Sequence, residues 1–213
     1  MSGQYRLTMS STASAPSVLP ILQFWFGDLD EHGRSDALHS RRWFMKDDAF
    51  DREITDKFAD TFADIRAGRR EQWLDSPQGR LAYVIVLDQF ARNMFRGTPR
   101  MFEGDKQAEA AAVEGVARGD DAVLGANERW FLYMPFMHAE DAALQERSVA
   151  LFTALAAAAP PELRASLATG VSYAQQHRDI IARFGRFPHR NAVLGRHSTP
   201  DELEFLKQPG SAF

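Results

Sequence analysis

Residues 77–95 restrict the possible folds more than any other stretch. Leu81, Ala82, Val84, Ile85, Val86, Leu87 and Phe90 leave a helix of that span with almost no polar face. A helix that is apolar nearly all round belongs at the centre of a core. Val84-Ile85-Val86-Leu87 alone also suits a buried strand, but its neighbours carry the apolar pattern beyond strand length, which decides for helix. Ser76 is its expected cap and Pro77 its first residue. Asp88, Arg92 and Arg96 follow at intervals of four and share one helix face. An aspartate at such a place is costly to bury unless it is paired. Two readings stay open. Asp88 braces the core as an ion pair with Arg92, or it orients Arg92 or Arg96 towards a bound anion or works as a base.

The remaining segments read as partners for that helix. Residues 18–25 form a short apolar helix with Pro20 in its first turn, and Gly27 stops it. Residues 28–40 are a polar loop, and a short helix around Ser40–Phe44 turns Trp43 and Phe44 inward. Over 48–67, Phe50, Ile54, Phe58, Phe62 and Ile65 recur at gaps of four and three, one stripe of a helix capped by Asp47 or Asp48. Asp105 is the expected cap of a helix over 106–118, ended by Gly119. Asn127 is the expected cap of a helix from 128 to 158 that Pro135 kinks or splits. A helix over 170–184 carries His177, and Thr199-Pro200-Asp201-Glu202 is a capping box that launches a last helix through Leu206. No strand is convincing. The expectation is one all-α domain over 16–213, roughly ten antiparallel helices joined by short loops. Residues 1–15, rich in Ser, Thr and Ala, read as a disordered tail.

Composition narrows the function classes. With 213 residues, 45% of them hydrophobic, one large core is feasible. The net charge of −4 speaks against a nucleic-acid partner. The chain has no cysteine, which rules out disulfides, thiolate nucleophiles and cysteine-ligated metals. No apolar run approaches the ~20 residues of a membrane span, so no membrane partner is expected and a cytoplasmic location is the default.

Chemistry concentrates in Phe184-Gly185-Arg186-Phe187-Pro188-His189-Arg190-Asn191. Large aromatics alternate with three ionisable side chains and an amide, the composition of a loop that buries its rings and aims its charges at a pocket. His138 follows Pro135 closely and has Glu140 and Asp141 beside it, and a carboxylate next to histidine raises its pKa or fixes its tautomer. His177 lies two turns before the loop. His138, His177 and His189 lack the spacing of a metal-ligand signature, so no metal and no cofactor are assigned. Arg92, Arg96, Arg186 and Arg190 arrive from separate segments, and guanidinium groups meeting in one cavity suit a carboxylate or phosphate.

Several of these stretches together resemble the family catalogued as domain of unknown function 924. They are Phe24-Trp25-Phe26-Gly27, Leu87-Asp88-Gln89-Phe90-Ala91-Arg92-Asn93-Met94-Phe95-Arg96-Gly97-Thr98, Tyr133-Met134-Pro135-Phe136-Met137-His138-Ala139-Glu140, the loop 184–191, and Leu194-Gly195-Arg196 with Ser198-Thr199-Pro200-Asp201-Glu202. The chain has Ala91 where the family often has proline, and Ala139 where it has serine. The resemblance implies an all-α fold similar to tetratricopeptide-type repeats and supplies no reaction.

From the residues, a pocket for a small anionic molecule is expected. His138, His189, Glu140 and Asp88 are its candidate catalytic groups for acid–base or hydrolytic chemistry. Arg92, Arg96, His177, Arg186, Arg190 and Asn191 are its candidate ligand contacts. The alternative is a non-catalytic helical scaffold that clamps a protein partner.

Overall fold

The computed structural model describes residues 17–211; the tail read over 1–15 lies outside them. Among the described residues the structure is all-α, with a single isolated bridge between Leu29 and Ser35 and no strand. The helices are α1 (Leu19–Phe26), α2 (Ala37–Arg42), α3 (Asp48–Arg66), α4 (Pro77–Val84), α5 (Ala91–Met94), α6 (Asp105–Arg118), α7 (Ala126–His138), α8 (Ala142–Ala158), α9 (Pro161–Phe184) and α10 (Pro200–Phe205). No helix among the described residues is long and apolar enough to cross a membrane.

The local signals act as their chemistry requires. Asp47 caps α3 by accepting from the backbone N–H of Ala49 and Phe50, and all five residues of the stripe are buried. Ser76 caps α4 with Pro77 at its first position, and Thr199 and Glu202 close a reciprocal capping box on α10. Gly185 ends α9 in the left-handed region, at φ 69°, which only glycine adopts without strain.

The central helix is buried along its whole core-facing length, yet it is not one regular α-helix. Between α4 and α5, Ile85–Phe90 forms a π-helical turn. Such turns are rare and frequently fall at functional sites. All six of its residues are buried, Asp88 among them at 1% exposure. The helix packs on α6 and α7, while α3 packs on the π turn and α5. The start of α6 lies so close to the π turn that a Cβ on Gly104 would stand 2.6 Å from the Leu87 carbonyl oxygen. Glycine at 104 therefore lets Asp105 reach the polar groups of the central helix.

Several expectations differ in the structure: α9 begins at Pro161, nine residues before the expected 170, and α2 spans Ala37–Arg42 and not 40–44. The helix over 128–158 is two helices, and the break falls at 139–141, beyond Pro135, which sits inside α7. Asp141 caps α8 by accepting from the N–H of Leu144, so it does not serve His138. Asn127 is not the cap of α7; Gly125 is, with Glu128 accepting the Gly125 N–H, and the Asn127 amide oxygen instead accepts from the N–H of Ser35. Asp105 caps nothing, because its carboxylate is taken by Arg92. Phe44 is 65% exposed, not inward. At the α7–α8 break the fully buried Gln145 amide donates to the carbonyls of Met137 and Ala139, at 2.7 and 2.8 Å, satisfying helix-end acceptors that would otherwise be buried unpaired.

Candidate functional site

The π turn, the end of α7, the last turns of α9 and the 3-10 turn Pro188–Arg190 meet in one polar cluster. Its centre is Asp88. The carboxylate accepts from His138 Nδ1 at 2.7 Å and from the Gln89 amide at 2.6 Å. It also pairs with Arg92 Nη1 at 3.0 Å. The same guanidinium donates to the Asp88 backbone carbonyl at 2.6 Å, in a turn where backbone pairing is displaced by one residue, and it grips both oxygens of Asp105 at 3.0 and 3.1 Å. Burial alone would raise the Asp88 pKa. Arg92 and His138 outweigh it and hold the carboxyl well below its usual range, so Asp88 is ionised.

A carboxylate can only accept, so His138 donates from Nδ1 and its neutral ring presents Nε2 as the basic nitrogen. Burial pushes the His138 pKa down, the nearby charges of Arg92 and Arg190 push the same way, and Asp88 opposes them without prevailing. His177 is fixed in the same tautomer, since its Nδ1 lies 2.8 Å from the Tyr173 carbonyl. Its ring centroid is 6.2 Å from that of His138 and 5.4 Å from that of Phe187. Burial, then the neighbouring His138, lowers His177 to about 3. Burial and Arg190 lower His189 to about 4. Three imidazoles are thus kept neutral at neutral pH beside two guanidiniums.

Arg190 is the least satisfied member. It is 93% buried by its 7% exposure, and its Nε has no hydrogen-bond partner. Its nearest carboxylate oxygen, on Asp105, stands 3.6 Å from Nη1, beyond good hydrogen-bond length. The rings of Phe102 and Phe187 lie 4.8 and 4.4 Å from its Cζ. Burial first, and Arg92 second, lower its pKa to about 10.

The structure divides the ten candidate residues. Asp88, Arg92, His138, His177, His189 and Arg190 come together. Four are engaged elsewhere. Arg96 leaves the shared helix face to pair with Asp51 of α3, at 2.8 and 3.1 Å. Arg186 is bound to both oxygens of Glu202 and to the His197 carbonyl. Asn191 accepts from Arg196 and donates to Ser198. Glu140, expected to orient a histidine, instead accepts the Phe187 N–H at 2.8 Å and holds Arg196 through two bonds at 2.7 and 2.9 Å. It braces the rim of the cluster, and the acid that orients His138 is Asp88.

Asp105 is the member that sequence reasoning missed. An aspartate at a helix start reads as a cap, and only its spatial neighbours show that it ties Arg92 to Arg190. Among the described residues no three His, Asp or Glu side chains stand close enough to share a metal ion. Two surface recesses stand out among the described residues. One, of about 820 Å³, is lined by Leu38, Arg41, Arg42, Met45 and Lys46 among others. The other, of about 330 Å³, lies between 31–33, 122–129 and 155–160. Neither is lined by any residue of the cluster.

A protein of unknown function from Agrobacterium tumefaciens, ATU0120, has a solved structure similar to this one. The TM-score is 0.76 and the identity 36%, over 89% of this chain and 96% of that one. Among curated proteins none matches the chain. The model of the bacterial proteins of unknown function DUF924 matches residues 21–210, which contain every member of the cluster, and the chain belongs to that family.

Proposed function

We propose that the cluster around Asp88 binds a small anionic molecule and exchanges a proton with it through His138. The observation that carries this reading is Arg190, a guanidinium nine-tenths buried whose Nε–H has no partner. A buried cation left short of acceptors is destabilising, and an anion at that edge would supply them. Beside it stands a histidine oriented by a buried carboxylate, the pairing that general acid–base chemistry uses. Arg92 anchors the cluster, Asp88 fixes the His138 tautomer, and Nε2 of His138 takes or returns the proton. A hydrolytic or proton-transfer step is the simplest chemistry for these groups. Entry is from the side of His138 and Arg92, whose side chains are 12% and 17% exposed. The location expected for the protein is cytoplasmic.

The test is to follow the imidazole resonances of the full chain while titrating a panel of small carboxylates and oxyanions. A member of the panel should shift the His138 resonances, and Arg190→Met should abolish the shift. A panel that leaves His138 unmoved overturns the reading.

The second reading, a tetratricopeptide-like scaffold without catalysis, draws on a different region. Leu38 and Met45, 69% and 59% exposed, line the recess of about 820 Å³, Phe44 beside Met45 in the chain is 65% exposed, and clustered exposed apolar residues mark interaction surfaces. Stoichiometric capture of one protein, lost on Phe44→Ser and kept on Arg190→Met, would favour it.

A further inference from the structure

The charges around His138 restrict what the cluster can accept. Asp88 and Arg92 face His138 from the central helix, and Asp105 follows from α6. His177 comes from α9, and His189 and Arg190 from the 3-10 turn. Glu140 and Arg196 close the rim as a pair. Three carboxylates therefore stand with three guanidiniums, and the three imidazoles are held neutral. The set is balanced, and so is its inner part, Asp88 and Asp105 against Arg92 and Arg190. An added monoanion leaves one uncompensated negative charge in a medium that penalises it heavily. A dianion leaves two.

The same set contains the remedy. His138 has its Nδ1–H committed to Asp88, so a proton arriving at Nε2 makes an imidazolium already paired on its other side. An anion seated at the Arg190 edge removes the reason for His138 to stay neutral, since it offsets the guanidinium charge that opposes protonation. Planarity adds a second restriction. The Arg190 Cζ lies over the rings of Phe102 and Phe187, at 4.8 and 4.4 Å, and a guanidinium presents its N–H donors as an edge in its own plane. That edge matches the two coplanar oxygens of a carboxylate.

Building on the proposed anion site, we infer that its ligand is a small monocarboxylate, taken up together with one proton that settles on His138. The site then holds the equivalent of the neutral acid and disfavours dianions. Proton and anion balance exactly as a pair: the ligand brings one negative charge, solvent supplies one proton, and no covalent bond changes.

Calorimetry on the full chain tests this, with acetate and benzoate as monoanions and sulfate as the dianion. Each is titrated in buffers that differ in ionisation enthalpy. About one proton should be taken up per carboxylate bound, and affinity should fall about tenfold per pH unit above neutrality. Sulfate should bind at least tenfold more weakly. His138→Gln should retain weakened carboxylate binding and lose the proton uptake. These measurements on the unaltered chain need no variant to fold. Carboxylate binding without proton uptake, or sulfate binding as tightly as benzoate, overturns this inference and leaves the anion site standing. Failure of all three anions to bind overturns the anion site itself.

Discussion

The loop 184–191 feeds two polar regions that differ in one respect. Arg186 and Asn191 belong to a network around Glu202, in which the carboxylate accepts from Arg186 at 2.7 and 2.8 Å, from the Thr199 N–H at 2.7 Å and from Asn191 at 3.3 Å. The hydrogen bonds from Arg186 and the Thr199 N–H hold Glu202 down to about 2. His189 and Arg190, from the same loop, enter the cluster around Asp88, where the Arg190 Nε has no partner and burial holds the histidines below their ordinary pKa. One region spends its charges on holding the chain. The other withholds some of them. A region of the second kind is where a ligand finds unspent interaction energy, and where stability is given up for function.

Breaking the satisfied network should produce the largest effect. Glu202→Ala removes the carboxylate that Arg186, Asn191 and the Thr199 N–H share, leaving Arg186 only the His197 carbonyl and Asn191 only Ser198, and losing such an acceptor costs about 1–3 kcal/mol. Urea unfolding should show this loss in the midpoint, with carboxylate binding by the folded fraction unchanged. A loss under about 1 kcal/mol would mean that the two regions do not differ as described.

A pH series separates the regions without mutation. His177 and His189 have folded values depressed below the ordinary 6.5. The unfolded chain therefore binds protons first, and the stability present above 6.5 is lost as pH falls towards about 4 and 3. Each imidazole removes up to about 1.4 kcal/mol per pH unit in that window. Glu202 is also depressed, from 4.5 to about 2, so its stabilisation persists until pH falls below 4.5. Acid destabilisation should come in two stages, the upper blunted by His177→Gln and the lower by Glu202→Gln. A single stage starting at the carboxylate range would sink the assignment of neutral buried imidazoles.

The smallest effect carries the sharpest contrast in sign. Arg190→Met removes a guanidinium whose Nε has no hydrogen-bond partner and leaves Asp105 still bound to Arg92. Stability should stay level or rise by about 1 kcal/mol, read from the shift in thermal midpoint. A loss of several kcal/mol would place Arg190 with the structural pairs.

Much of the scaffold was legible because its causes are local. The stripe Phe50, Ile54, Phe58, Phe62 and Ile65 is a helix face whatever surrounds it, and the caps at Ser76 and Thr199 bond to backbone three residues away. The π turn was not legible. The apolar pattern at 85–90 fits an α-helix equally well, and only the packing of α3, α6 and α7 around it selects the wider turn. Arg96 shows the same limit. It shares a helix face with Arg92, but the nearest acid in space is Asp51, forty-five residues back.

The sequence by itself determined that this chain folds into helices, where α1, α3, α4, α6 and α10 begin, and which loop brings arginine and histidine to the interior. Periodicity, caps and turn residues act within a few positions of one another and need no knowledge of the whole. Tertiary structure alone decided which charges are spent. Asp88 meets His138 across fifty residues, Glu140 meets Arg196 across fifty-six, and Asp105 takes Arg92 because glycine at 104 lets α6 approach the central helix. Each choice depends on distance in space, and a linear order of residues does not contain that distance.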